Sequence, residues 1–62
     1  MCEATVYLLK SGKEELLLEG VDFLENHPDH IKIINLFGEE RVIRARVKRF
    51  SLLNHKIILE PC

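Results

Sequence analysis

Cysteine, aromatic residues and long apolar runs are all scarce in this sequence, and each scarcity removes a class of protein. Only Cys2 and Cys62 carry thiols, one near each end of 62 residues, so a catalytic nucleophile has just two sulfurs to draw on. No stretch approaches the roughly 18 apolar residues that a membrane-spanning helix needs, and a soluble chain is expected. The start lacks the basic segment, continuous apolar region and small-residue cleavage site of a secretory signal. A cytoplasmic protein with reduced thiols follows as the expectation. There is no glycine-rich phosphate loop and no Ser/His/Asp arrangement that spacing can support. With little volume left for a pocket in so short a chain, the sequence does not read as an enzyme. Net charge is −1, which gives no global attraction to nucleic acid or to an anionic membrane. Repeats, low-complexity segments and linkers are absent, so residues 1–62 read as a single domain.

What is abundant is apolar side chain, at 47% of the residues. A domain of this size buries only about 60% of the surface its unfolded chain exposes, so a staple or a partner subunit is expected. The apolar surplus points to a homodimer whose interface extends the core. A Cys2–Cys62 disulfide is the alternative staple, worth roughly 4 kcal/mol in the chain-entropy account, but it needs an oxidising compartment.

The segments read as strands. Ala4 to Leu9 is rich in β-branched and aromatic residues, with Ala4, Val6 and Leu8 on one face and Thr5, Tyr7 and Leu9 on the other. Lys10 to Lys13 make a hairpin turn around Gly12. Glu14 to Leu18 has helix-favouring residues, yet it is too short to repay helix nucleation and follows a hairpin turn, so a strand is expected. Gly20 should end it, and Val21 to Glu25 forms a third short element with Phe23 as its core anchor. Asn26 to His30 is a break, because Pro28 restricts both itself and His27. Ile31 to Leu36 is a strand closed by Phe37 and Gly38, and Glu39 to Arg41 carry a second hairpin. Then Ile43, Ala45 and Val47 alternate with Arg44, Arg46 and Lys48, the period of a sheet with one wet face. Phe50 opens the next apolar segment, Asn54 and His55 turn the chain, and Lys56 to Glu60 is the last strand before Pro61. Five to seven short strands in so small a chain close on themselves best as an all-β, small antiparallel β-barrel.

Three groups carry candidate chemistry. If Met1 is trimmed, the amine and thiolate of Cys2 can close a five-membered chelate ring; if Met1 stays, its amine and the Cys2 amide nitrogen take that part. Sulfur beside nitrogen suits nickel, copper or zinc rather than calcium or magnesium. His27, Asp29 and His30 are metal-ligand types within four residues, although no helix brings the two rings onto one face. Arg44, Arg46 and Lys48, flanked by Arg41 and Arg49, form a basic stripe that could track an RNA backbone. The four aromatics, Tyr7, Phe23, Phe37 and Phe50, are mostly expected in the core, and ten carboxylates outnumber nine Lys and Arg, so a solvated face is the simpler reading. Adjacent Glu39 and Glu40 alternate in direction on any strand and make a poor acid–base pair.

The opening Met1-Cys2-Glu3-Ala4, the central Leu36-Phe37-Gly38-Glu39-Glu40 and the length together resemble the CooT family of small nickel-binding proteins associated with carbon monoxide dehydrogenase. The resemblance covers nearly the whole chain. It implies a homodimeric small β-barrel that binds Ni(II) through Cys2, with Met1 as its neighbour. It also implies a metallochaperone-like role in nickel supply to, or maturation of, carbon monoxide dehydrogenase. Relatives labelled as RNA-binding keep the basic stripe in view. Cys62 departs from the family pattern, and neither it nor His55 has a role in that picture.

Overall fold

In the computed structural model, which describes residues 3–62, six strands form one sheet, and there is no helix among the described residues. They are β1 (Ala4–Lys10), β2 (Lys13–Asn26), β3 (Ile31–Asn35), β4 (Glu40–Ile43), β5 (Ala45–Ser51) and β6 (Lys56–Pro61). The strand order is β4-β3-β2-β1-β6-β5, curled into a half-barrel.

The first hairpin is tighter than the sequence suggests. Lys10 pairs with Lys13, and Ser11 and Gly12 have φ of 52° and 79°. Positive φ at both positions is what a two-residue turn needs to match the twist of its strands. That turn lays Glu14–Leu18 directly against β1, and sheet pairing overrides a helix preference of only tenths of a kcal/mol per residue.

Gly20 does not end this strand. β2 runs unbroken for 14 residues and bends at Gly20, whose φ of +70° is easy only for glycine. Residues before the bend pair with β1, and those after it pair chiefly with β3, so one long strand serves two neighbours. An irregularity between Val21 and Phe23 then shifts the inside–outside alternation. Val21 is buried and Leu24 packs on the core, while Phe23 is turned outward, 44% exposed. Phe23 is therefore not the core anchor that simple alternation predicts.

The expected all-antiparallel arrangement also needs correction, since β1 and β6 run parallel, with Thr5 beside Lys56 and Leu8 beside Leu59. The cause is topological. Chain direction reverses at four hairpins, but β4 passes into β5 through Arg44 without turning back, so an even number of reversals separates β1 from β6. β4 and β5 stand at opposite edges of the sheet order, with Arg44 spanning between them. The Arg44 carbonyl accepts a hydrogen bond from the Cys62 amide at 3.2 Å.

The alternation across this junction is as expected. Ile43, Ala45 and Val47 are the more buried set, and Arg44, Arg46 and Lys48 are exposed. Phe50, however, lies within β5, and Pro61 is the last residue of β6 rather than a stop before it. Val6, Ile31, Ile33 and Leu59 are the largest fully buried side chains, drawn from β1, β3 and β6, and Leu18, Val21 and Ala45 complete the cluster.

Candidate functional site

Cys2 and Met1, on which the metal-site expectation rests, lie outside the described residues, and so does a Cys2–Cys62 disulfide. The structure defines the scaffold that leads to them. Glu3 is exposed and Ala4 begins β1. The Thr5 amide donates to the His55 carbonyl at 2.9 Å, fastening the start of β1 to the turn before β6. A cleft of about 560 Å³ opens there, lined by Glu3, Ala4, Thr5, Glu19, Gly20, Phe37, Asn54 and His55. Another of about 340 Å³ shares Glu3, Ala4 and His55 and is otherwise walled mainly by Val21, Phe23, Leu24, Phe50, Leu52 and Ile57. One cleft is mixed in polarity and the other predominantly apolar, and β1 begins where their walls meet. His55, at φ +52°, is a wall residue of both. Its sequence position marked a turn and gave no sign of this placement.

The loop that carries Phe37 is built around one buried amide. Asn35 is 5% exposed, the sole buried polar residue among those described. Its Nδ2 donates to the Glu19 carbonyl at 3.2 Å and to Oε1 of Glu39 at 2.7 Å, while its Oδ1 accepts from the amides of Phe37 at 3.0 Å and Glu39 at 2.8 Å. Gly38, at φ +83°, closes the turn, and the Leu36 amide bonds the Gly20 carbonyl at 2.9 Å. The motif Leu36-Phe37-Gly38-Glu39-Glu40 thus has a structural reason. It ties the end of β3 to the bend of β2 and leaves Phe37 83% exposed at the rim of the larger cleft.

His27 and His30 sit at the tip of the β2–β3 hairpin. The sequence supplied no helix to bring their rings together, but the hairpin does so, with centroids 4.4 Å apart. His27 bonds Glu25 at 2.8 Å and His30 bonds Asp29 at 2.7 Å. These hydrogen bonds are the main reason the Glu25 and Asp29 carboxyls are held below the usual carboxylate range. No group of three or more His, Cys, Asp or Glu side chains is arranged to hold a metal among the described residues.

The basic stripe is partly neutralised from within the sheet. Glu60 on β6 reaches Arg46 at 3.2 Å and Lys48 at 3.9 Å. Charge engaged in this way is less available to a phosphate backbone. Tyr7 is occupied too, with the Lys56 ammonium 5.0 Å from its ring centre. Cys62 is exposed at the far end of β6. No helix among the described residues is long and apolar enough to cross a membrane.

The family model described as CO dehydrogenase accessory protein CooT matches residues 1–60. No curated protein matches the chain at a comparable level. A crystal structure described as CooT from Carboxydothermus hydrogenoformans superposes with a TM-score of 0.90 at 41% identity, covering 98% of this chain and 98% of that one. A family match across nearly the whole length and a superposition over 98% of both chains agree with each other: the chain belongs to the CooT family of CO dehydrogenase accessory proteins.

Proposed function

We propose that this protein binds Ni(II) at its N-terminal end and supports nickel supply to, or maturation of, carbon monoxide dehydrogenase, with no catalytic step of its own. The observation that carries the reading is the match of residues 1–60 to an accessory protein of that enzyme. The donor chemistry supports it. The Cys2 thiolate and the nitrogens of Met1 and Cys2 form a sulfur–nitrogen set suited to nickel and unsuited to magnesium or calcium.

One chain end offers two or three donors, and a square-planar nickel ion takes four. A second copy completes the set, with two Cys2 thiolates meeting at the interface of a homodimer. Exposed apolar residues support self-association: Phe50, Leu52 and Phe23 border the apolar cleft beside β1, and Leu53 follows Leu52 in the chain. A contiguous patch of this kind on so small a surface favours burial against a partner.

Adding Ni(II) to the intact protein should produce a thiolate-to-metal absorption band that is lost in Cys2→Ser, while that variant stays folded. Binding should strengthen as pH rises toward about 8, where thiol and amine ionise. Undiminished nickel affinity of Cys2→Ser in calorimetry would remove Cys2 from the site.

A further inference from the structure

The tip of the β2–β3 hairpin holds an arrangement that the N-terminal thiol does not need. His27 and His30 flank Pro28 and Asp29, and the His27 amide donates to the His30 carbonyl at 2.9 Å, one step beyond the Asn26–Ile31 pair. Directly opposed residues project from the same face of a ladder. Their imidazoles lie against each other with planes inclined by 14°.

Each ring is also gripped by its own carboxylate, Nε2 of His27 by Glu25 and Nδ1 of His30 by Asp29. An ionised carboxylate only accepts hydrogen bonds, so those two ring nitrogens carry the protons. In the neutral rings the lone pairs then remain on Nδ1 of His27 and Nε2 of His30. A histidine whose second nitrogen donates to a carboxylate is the usual outer-shell arrangement of a metal-bound imidazole, and here it occurs twice, side by side. Glu25 and Asp29 also bring negative charge to a tip that has Lys32 and Arg44 nearby.

We propose that Nδ1 of His27 and Nε2 of His30 together hold one borderline divalent cation, at a solvent-open site separate from the N-terminal thiol. Imidazole nitrogen favours nickel, copper and zinc over magnesium and calcium. Bonds of about 2.0–2.1 Å require the near-parallel rings to splay from their stack, a side-chain rotation in which the Glu25 and Asp29 carboxylates must follow their rings. With two protein donors, water completes the coordination and the ion exchanges freely.

The test uses the full chain carrying Cys2→Ser and Cys62→Ser, so that no thiol competes and the N-terminal reading has no bearing on the outcome. Ni(II) alone is titrated and followed by NMR of the imidazole ring protons and by calorimetry. One equivalent per chain should bind, with line broadening centred on His27 and His30 and not on His55. His27→Asn and His30→Asn should each weaken binding at least tenfold, and Glu25→Ala should do so about tenfold through loss of the outer-shell contact. Circular dichroism confirms that each variant keeps its sheet. No saturable binding, broadening centred on His55, or unchanged affinity in either histidine variant would overturn the proposal.

Discussion

Asn35 and Glu39 hold each other in both directions: the Asn35 amide donates to the Glu39 carboxylate at 2.7 Å and accepts from the Glu39 backbone at 2.8 Å. Replacing Asn35 with alanine leaves the Phe37 and Glu39 amides without their side-chain acceptor and removes the Glu19 tie, so that only backbone contacts hold the bend of β2 to the end of β3. Each of the lost side-chain hydrogen bonds contributes about 0.5–1.5 kcal/mol. Asn35→Ala should therefore lower the melting temperature by several degrees or more, whereas Glu39→Gln, which keeps an acceptor, should change it much less. Equal losses in the two variants would show that the charge of Glu39, rather than the amide network, holds the loop.

Gly20→Ala isolates the value of one backbone conformation. A Cβ at this position would lie 3.7 Å from Oε1 of Glu3 and 4.0 Å from Cδ1 of Leu36, which are ordinary contacts. Only the left-handed φ is penalised, by about 1–2 kcal/mol. The urea midpoint should fall by that free energy divided by the slope m, with the slope itself unchanged. A much larger loss would mean that the bend itself had moved.

Acid should loosen the hairpin tip before the core. Glu25 and Asp29 have folded pKa values below the ordinary range, chiefly through their bonds from His27 and His30. A depressed carboxylate pKa stabilises the fold above the unfolded value and ceases to do so as pH falls through the folded one. The stability difference between the native protein and a Glu25→Gln, Asp29→Asn variant should be small near pH 5 and shrink below about pH 4. A difference that grows in acid would reverse the assignment.

Self-association can be tested where the fold is least at risk. Leu52 and Leu53 are 80% and 88% exposed, so serine at both positions removes apolar surface without opening the core. In sedimentation the native protein should be dimeric when nickel-bound and the variant shifted toward monomer. A native protein that remains monomeric at high concentration with and without nickel would exclude a shared Cys2 site.

Strand chemistry was legible where it depended on alternation. Val6, Ile31, Ile33 and Ala45 are buried as period two requires, and the basic stripe faces outward. It failed where one residue altered the period. The bulge after Val21 turned Phe23 outward, and Gly20 bent a strand it was expected to end. The parallel β1–β6 pair was hidden because it depends on Arg44 continuing the chain without reversal, and no residue type signals that. Donor chemistry at Cys2 is what the sequence proposes for the site, and it lies outside the described residues. The contribution of His55 to its surroundings comes from the Thr5–His55 hydrogen bond, a contact between chain segments fifty residues apart.

The parallel course of β1 and β6 also places the start of β1 and the end of β6 at opposite rims of the sheet. Thr5 is level with Lys56, and Cys62 lies six residues further along, roughly 20 Å of extended chain away. A fluorophore coupled to the Cys62 sulfur, or an affinity handle appended there, reports from the distant rim of the sheet without crowding the start of β1. Labelled protein can therefore be immobilised or tracked from the rim opposite the start of β1.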